Sequence, residues 1–238
     1  MPEGERPREV RPQKWDYKEF LANLKLAALD QLPASPEAMP SQIDIGIFGT
    51  TLKEMKRKTD ADPEKRERMR TIKTQMDVKH HKVLIDKEYI GTNEAVQARI
   101  ELLHDVAADG LTAITEQHLG SLHTHPSENP FSPTDLSSLL RPETGQKAAG
   151  NKMSIIATDT LLMALFKTAK TPTINDERNV EALIRIWESL QGMKPAKGEA
   201  AWAMAQYEFL REECAKLHIA LYSSPLERDN NILTKASA

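Results

Sequence analysis

The stretch "LGSLHTHPSENPFSPTDLSSLL", Leu119 to Leu140, contains the features that decide the local fold. A strand is predicted to run into His123 and His125, and a short proline-containing turn follows it. A helix is predicted to begin near Ser132, because this serine, the proline after it and the acid Asp135 form a helix start similar to a capping box. The segment therefore predicts a strand, a tight turn and a capped helix.

The two histidines lie on one face of the predicted strand, because alternate side chains of a strand point the same way. Imidazoles about 6–7 Å apart along a strand can converge on one ion. Asp135 follows His125 by ten residues, and two histidines with one carboxylate are typical ligands of catalytic zinc, which keeps its fourth position for water. A second interpretation stays open, in which a chance His-x-His precedes an ordinary helix cap.

The motif "HTHPSENPFSPTD" resembles the JAMM motif of the MPN-domain (JAB) metallopeptidases, written as Glu, then His-Ser/Thr-His-Pro, then Ser-x-x-Asp. The resemblance covers about residues 42–169 in the order of predicted elements. It implies that His123, His125 and Asp135 bind one zinc ion, and that Ser132 helps to stabilise the oxyanion of a tetrahedral intermediate. The spacing departs slightly, since six residues rather than the family's usual seven separate the second histidine from the serine.

The resemblance also implies an activity. The family cleaves isopeptide or peptide bonds, often after the C-terminal glycine of ubiquitin or a ubiquitin-like modifier, and other members process small-molecule or sulfur-carrier conjugates. We therefore expect a deubiquitinase-like zinc hydrolase. The implied partners are a ubiquitin-like protein or its conjugate, and enzymes of the conjugation pathway.

The family's general base is a glutamate on the first strand, in a pattern like Glu-x-x-Gly-x-Leu-x-Gly. The matching strand is predicted over "QIDIGIFGT", and aligning Gly49 with the last glycine places Gln42 at the glutamate position, although Ile45 replaces the inner glycine. Glutamine can hydrogen-bond a water molecule but cannot accept its proton. Three explanations stay open: an introduced Glu→Gln change, a natural pseudo-enzyme, or an incorrect register in which another acid serves. The other acids considered are Glu37, Asp44, Glu88 and Glu94.

The pattern of elements predicts an α/β fold, an MPN (JAB)-like mixed β-sheet flanked by helices with a C-terminal helical extension. Residues 1–13 are predicted to be a flexible tail, 14–173 the catalytic domain, and 174–238 the helical extension and C-terminal tail. Residues 51–73 carry nine Lys/Arg and five Asp/Glu. One interpretation of this segment is a solvated insertion or a charged helical hairpin, and the other is a charged insertion that contacts the modifier. Helices are predicted over about 92–110, 176–190 and 199–221.

Composition limits the other classes of function. The chain has 238 residues and a net charge of −3, so bulk charge predicts no nucleic-acid or membrane partner. The single cysteine, Cys214, excludes an intrachain disulfide and favours a reducing, cytoplasmic compartment. Cys214 and His218 would share a helix face, but no feature of the sequence indicates an activated thiol.

A second functional class also fits the pattern. The domain would be a catalytically silent binding or scaffold module in a ubiquitin-like conjugation pathway, and the helical third would dock a conjugating or activating enzyme. Exposed side chains at Trp187 or Trp202 would favour this alternative, whereas buried ones would indicate packing on the core.

Overall fold

The computed structural model describes residues 13–77, 79–98, 104–106, 113–141, 151–173 and 199–236. Ten strands in these residues form one sheet. The strands are β1 (Lys14–Trp15), β2 (Gln42–Asp44), β3 (Arg68–Met76), β4 (His81–Ile90), β5 (His104–Val106), β6 (Ala113–Thr124), β7 (Met153–Ala157), β8 (Leu161–Phe166), β9 (Ala220–Pro225) and β10 (Ile232–Lys235). The helices are α1 (Tyr17–Ala28), α2 (Ile47–Ala61), α3 (Pro133–Leu140) and α4 (Glu199–Lys216), with a 3-10 turn at Pro36–Ala38.

The sheet is mixed, and its order is β1-β2-β10-β9-β8-β7-β6-β3-β4, with β5 paired to β6 beside this path. The pairs β1–β2 and β6–β7 are parallel, and the other pairs are antiparallel. A parallel pair needs a crossover connection, and α3 lies in the connection between β6 and β7. The carboxyl end of β6 and the start of α3 are therefore brought to the same edge of the sheet. The α/β class predicted from the sequence is confirmed.

Helices pack on both faces of the sheet. On one face, Phe20 and Leu24 of α1 and Phe48 and Leu52 of α2 belong to the larger apolar core. On the other face, a second apolar cluster joins α3 and α4 to β7, β8 and β9. Its buried members are Phe131, Leu136, Leu139, Leu140, Ile156, Met163, Leu165, Leu210, Cys214, Ile219 and Leu221.

The end of β6 contributes side chains to both faces. Leu122 belongs to the core under α1 and α2, and Thr124 bonds to Thr59 of α2. His123 points to the opposite face, where its ring meets Phe131 edge-on at a centroid distance of 6.3 Å. This alternation agrees with the strand predicted from the sequence, and it directs the two histidines towards α3.

The predicted strand over Gln42–Thr50 is wrong beyond its first three residues. The strand β2 covers Gln42–Asp44, and α2 begins at Ile47, next to Gly46 at φ +45°. A Cβ at Gly46 would lie 2.4 Å from the ring of Tyr17. Glycine therefore permits the sharp change from strand to helix here, where the sequence pattern indicated a continuous strand.

The charged segment 51–73 is not an insertion. It contains most of α2 and the first two thirds of β3, and Leu52, Met55 and Thr59 on α2 are fully or almost fully buried. The many charged residues made this segment look solvent-exposed, and on α2 Glu54, Arg57, Lys58 and Asp60 do lie on the outer side of an amphipathic helix. The buried Lys56 is held by Asp60 and Asp159.

Two other predicted elements are also corrected. Residues 92–98 form bends and irregular structure rather than a helix, and His104–Val106 is a strand paired with β6. The C-terminal region is not a separate helical extension, because β9 pairs with β8 and β10 joins β9 to β2 inside the same sheet. The helix α4 is confirmed over Glu199–Lys216, and the strand β9 begins at Ala220.

Two predictions fall outside the described residues. They are the flexible tail, apart from residue 13, and the helix over 176–190 with Trp187. No helix in the described part of the chain has the length and hydrophobicity needed to cross a membrane.

Candidate metal centre

The three residues proposed from the motif converge in the structure. His123 is the last but one residue of β6, His125 follows the strand, and Asp135 lies in the first turn of α3. The backbone N–H of His125 donates to the carbonyl of Ala157 at 2.9 Å, which fixes the chain just beyond the strand end. The side chains offer one ligand atom each within 4.8 Å of one another, so together they can hold one metal ion.

The separations of the candidate ligand atoms are close to those found around a bound metal ion. The Nε2 atoms of His123 and His125 are 3.1 Å apart. Asp135 places Oδ1 3.1 Å from His123 Nε2 and Oδ2 3.6 Å from His125 Nε2. Zinc–ligand bonds of about 2.0–2.2 Å at tetrahedral angles put neighbouring ligand atoms about 3.3–3.6 Å apart. The three groups are therefore close enough to converge on one metal ion.

Hydrogen bonds orient the ligands. The Nδ1 atom of His125 lies 3.0 Å from the backbone carbonyl of Asn129. A carbonyl oxygen can only accept, so Nδ1 carries the proton and the lone pair of Nε2 faces the cluster. Within the described residues, the buried Nδ1 of His123 has no hydrogen-bond partner.

Ser132 holds the aspartate at the start of α3. Its backbone N–H and its hydroxyl each donate to Asp135 Oδ2 at 2.7 Å, and its hydroxyl accepts from the Asp135 N–H at 3.3 Å. The predicted capping box is thus present. The hydroxyl proton is engaged by the ligand carboxylate, so the geometry supports an orienting role, and the predicted contact with an oxyanion stays a prediction.

The charges of the cluster are strongly coupled. Burial alone lowers the pKa of His123, but the adjacent Asp135 carboxylate outweighs burial and the net pKa is raised. Burial lowers the pKa of His125 more than Asp135 raises it. For Asp135, burial raises the pKa, but the two histidines and the Ser132 hydroxyl overcome this and hold it well below its usual range. A carboxylate facing two imidazoles is a favourable position for a cation.

A fourth titratable residue, Glu67, lies at this site and was not identified from the sequence. It directly precedes β3 and is 8% exposed. Burial raises its pKa to about 7, with a lowering contribution from His123 and a raising one from Asp135. A carboxyl group with this pKa beside a metal cluster can both accept and return a proton near neutral pH.

Strand register explains how Glu67 reaches the cluster. Met69 of β3 is paired with His123 of β6 in an antiparallel ladder. Continuing that ladder by two residues on each strand sets Glu67 opposite His125, on the same face of the sheet. Glu67 and the three ligands line one open cleft of about 760 Å³, together with Ser132.

The prediction that Gln42 occupies the base position is wrong. Gln42 lies on β2, and four strands, β10, β9, β8 and β7, separate β2 from β6 in the sheet. The glycine-containing pattern led to the wrong segment, because "QIDIGIFG" is mostly a strand-to-helix turn here. A usable signal was the acid directly before the strand that pairs antiparallel with the His-x-His strand. That strand pairing, however, cannot be read from the sequence alone.

The other candidate residues lie elsewhere or are engaged. Of the alternative acids, only Glu94 lines the cleft, where it is exposed. Asp44 accepts the Gly46 N–H, and Glu88 pairs with Arg68.

Burial raises the pKa of the Cys214 thiol, and His218 lies beyond the end of α4, so the two form no nucleophile–base pair.

Comparisons of the chain with protein-family models, curated proteins and solved structures each give no match. The chemistry of the site is consequently the basis for inferring function.

Proposed function

We propose that this protein is a zinc-dependent hydrolase of amide bonds of the JAMM type, an isopeptidase or peptidase that acts at the C-terminal end of a ubiquitin-like modifier. One observation carries the chemistry: a buried acid, Glu67, shares a cleft with a ligand set of two histidines and one aspartate. The choice of modifier depends on the resemblance of "HTHPSENPFSPTD" to the JAMM motif.

His123, His125 and Asp135 would hold the zinc. Zinc bound there would act as a Lewis acid, making an attacking water more acidic and polarising the scissile carbonyl. The Glu67 carboxylate would accept the proton of the attacking water and pass it to the leaving amine nitrogen. Its raised pKa suits both halves of this transfer, because the group gains and loses a proton near neutral pH. Ser132 would keep the Asp135 carboxylate oriented towards the histidines.

The presence of Glu67 also weighs against the silent binding module. That alternative depended on a missing base, and an acid is available at the cluster without Gln42. Trp202 on α4 is half-buried, so it gives no exposed aromatic surface that would favour the scaffold.

The test is a cleavage assay on ubiquitin-like proteins joined through their C-terminal glycine to a peptide lysine or as linear fusions. The wild-type chain should cleave at least one substrate, lose activity with 1,10-phenanthroline, and regain it when zinc is added back. Glu67→Gln should lower kcat about 10²–10⁴-fold while one zinc per chain is retained.

A matched control is Glu94→Gln, which removes an exposed carboxylate from the same cleft. Its rate should stay within about twofold of the wild type. Equal rates for Glu67→Gln and the wild type would refute Glu67 as the base. Activity that persists in protein stripped of zinc would refute the metal mechanism altogether.

A further inference from the structure

On the face of the sheet opposite the cleft, two threonine hydroxyls meet in a fully buried contact. Thr59 of α2 and Thr124 of β6 are each 0% exposed, and their Oγ1 atoms are 2.8 Å apart. Thr124 is the residue between the two histidine ligands. Neither threonine contributes a ligand to the metal cluster.

The directions of the hydrogen bonds in this contact are determined. Thr59 Oγ1 donates to the backbone carbonyl of Arg66 at 3.1 Å. Each hydroxyl has a single proton, so Thr124 must donate to Thr59. Thr124 Oγ1 in turn accepts the backbone N–H of Arg68 at 3.0 Å. One chain of bonds therefore runs from the Arg68 N–H through both hydroxyls to the Arg66 carbonyl.

The residue enclosed by this chain is Glu67. The two peptide groups that the threonines bind flank it on either side, and the backbone of Glu67 itself is bound from the β4 side. Its N–H donates to the carbonyl of Thr92 at 2.7 Å, and its carbonyl accepts the Gly91 N–H at 3.0 Å. Four hydrogen bonds therefore hold the backbone of residues 66–68: two to the threonine hydroxyls on one side, and two to Gly91 and Thr92 on the other.

We propose that Thr59 and Thr124 form a buried clamp that positions Glu67 against the metal cluster. The role of Glu67 as a base rests on the proposed function, but the clamping of the backbone does not. Thr124 ties the strand with the histidines to the chain that bears the acid, and Thr59 ties both to α2. Catalytic groups need placement to within a fraction of an ångström, so both threonines are positioning residues for the proton transfer.

The first test measures the clamp without any substrate. Amide hydrogen exchange of the full chain is followed by NMR in Thr59→Val and Thr124→Val, which replace a hydroxyl with a methyl group of similar size. Exchange protection of the Arg68 amide should fall about tenfold in both valine variants and remain in Thr59→Ser, which keeps the hydroxyl. The amide of Ile155 in β7 is the internal control and should not change. Unchanged protection of Arg68 in both valine variants would overturn the clamp.

The second test asks whether the clamp affects the rate of catalysis. Thr59→Val should lower kcat about tenfold or more, with zinc content kept and KM within about twofold, and Thr59→Ser should restore the rate. In a Glu67→Gln background, Thr59→Val should produce no further loss, because a residue that acts through Glu67 has nothing left to position. An equal loss of rate in both backgrounds would overturn the positioning role.

The two tests separate the two ideas. If the wild-type chain cleaves no substrate, the proposed function fails, and the exchange of the Arg68 amide still decides the clamp. If Glu67→Gln is fully active, the base assignment fails alone. Should Thr59→Val not fold, Thr124→Val carries both measurements, because its substitution lies on the sheet rather than on the helix.

Discussion

Two segments were interpreted from their sequence patterns, His123 to Asp135 and Gln42 to Thr50, with opposite results. In the first, all three candidate metal ligands come from thirteen consecutive residues, and the structure brings their ligand atoms within 4.8 Å of one another. In the second, a residue was assigned by aligning glycines, and it lies on the far side of four strands. The difference lies in how far apart in sequence the interacting residues are.

Local geometry fixes the first segment. A strand alternates its side chains, a proline turn reverses the chain, and a capping box orients the aspartate, so each step follows from neighbouring residues. Glu67 reaches the same cluster only through the pairing of β3 with β6, across more than fifty residues of sequence. Pairing between strands that are distant in sequence produces no short sequence motif, so no motif could place Glu67 at the cluster.

Loss of a ligand should give the largest effect and tests the local segment directly. His123→Ala should abolish stoichiometric zinc binding, because one of three protein ligands is removed, and cleavage should fall to background. His80→Ala is the control, since His80 is exposed and bonds only to Asp77 among the described residues. Elemental analysis of dialysed protein measures zinc per chain. Full zinc content in His123→Ala would show that the ion binds elsewhere.

The next effect concerns stability and the segment 51–73. Leu52→Ala on α2 should reduce the free energy of unfolding by about 2–5 kcal/mol, because Leu52 is fully buried in the larger core. Ile47→Ala, on the same helix but 51% exposed, should cost less than about 0.5 kcal/mol. Urea unfolding measures both. Two equally small changes would revive the interpretation of this segment as a solvated insertion.

Local patterns in the sequence predict some features of this chain, whereas other features depend on long-range packing. The candidate metal ligands, the capped α3 and the α/β class follow from local patterns. The segment 51–73 was misjudged because charge was counted without the helical periodicity that buries Leu52 and Met55. The strands β9 and β10 were missed because each joins the sheet beside strands distant in sequence, β8 and β2.

The pH dependence of zinc binding gives a smaller, graded effect. Zinc needs the unprotonated Nε2 of His123, whose pKa in the metal-free protein is raised from 6.5 because Asp135 outweighs burial. Below that raised pKa, zinc must displace a proton, so its apparent affinity should fall about tenfold per pH unit, and above it the affinity should level off. Competition with a fluorescent chelator between pH 5.5 and 8.5 measures the break point.

Glu67→Gln sharpens this measurement. The Glu67 carboxylate contributes to the raised pKa of His123, so its neutralisation should move the break point to lower pH. Glu94→Gln is the control, because Glu94 is exposed. A break point that moves to higher pH in Glu67→Gln would contradict the electrostatic coupling between Glu67 and His123.

The smallest effect is expected where the motif alignment indicated the largest. Gln42→Glu introduces the acid that the glycine pattern called for, but on β2, whose neighbours are β1 and β10. Its rate should match the wild type within about twofold, and it should not restore activity to Glu67→Gln, because a carboxylate there cannot reach water at the metal cluster. Rescue of Glu67→Gln by Gln42→Glu would mean that the base acts from β2 after all. Full activity in the single variant, with none regained in the double variant, would exclude the Gln42 position on β2 as the site of the base.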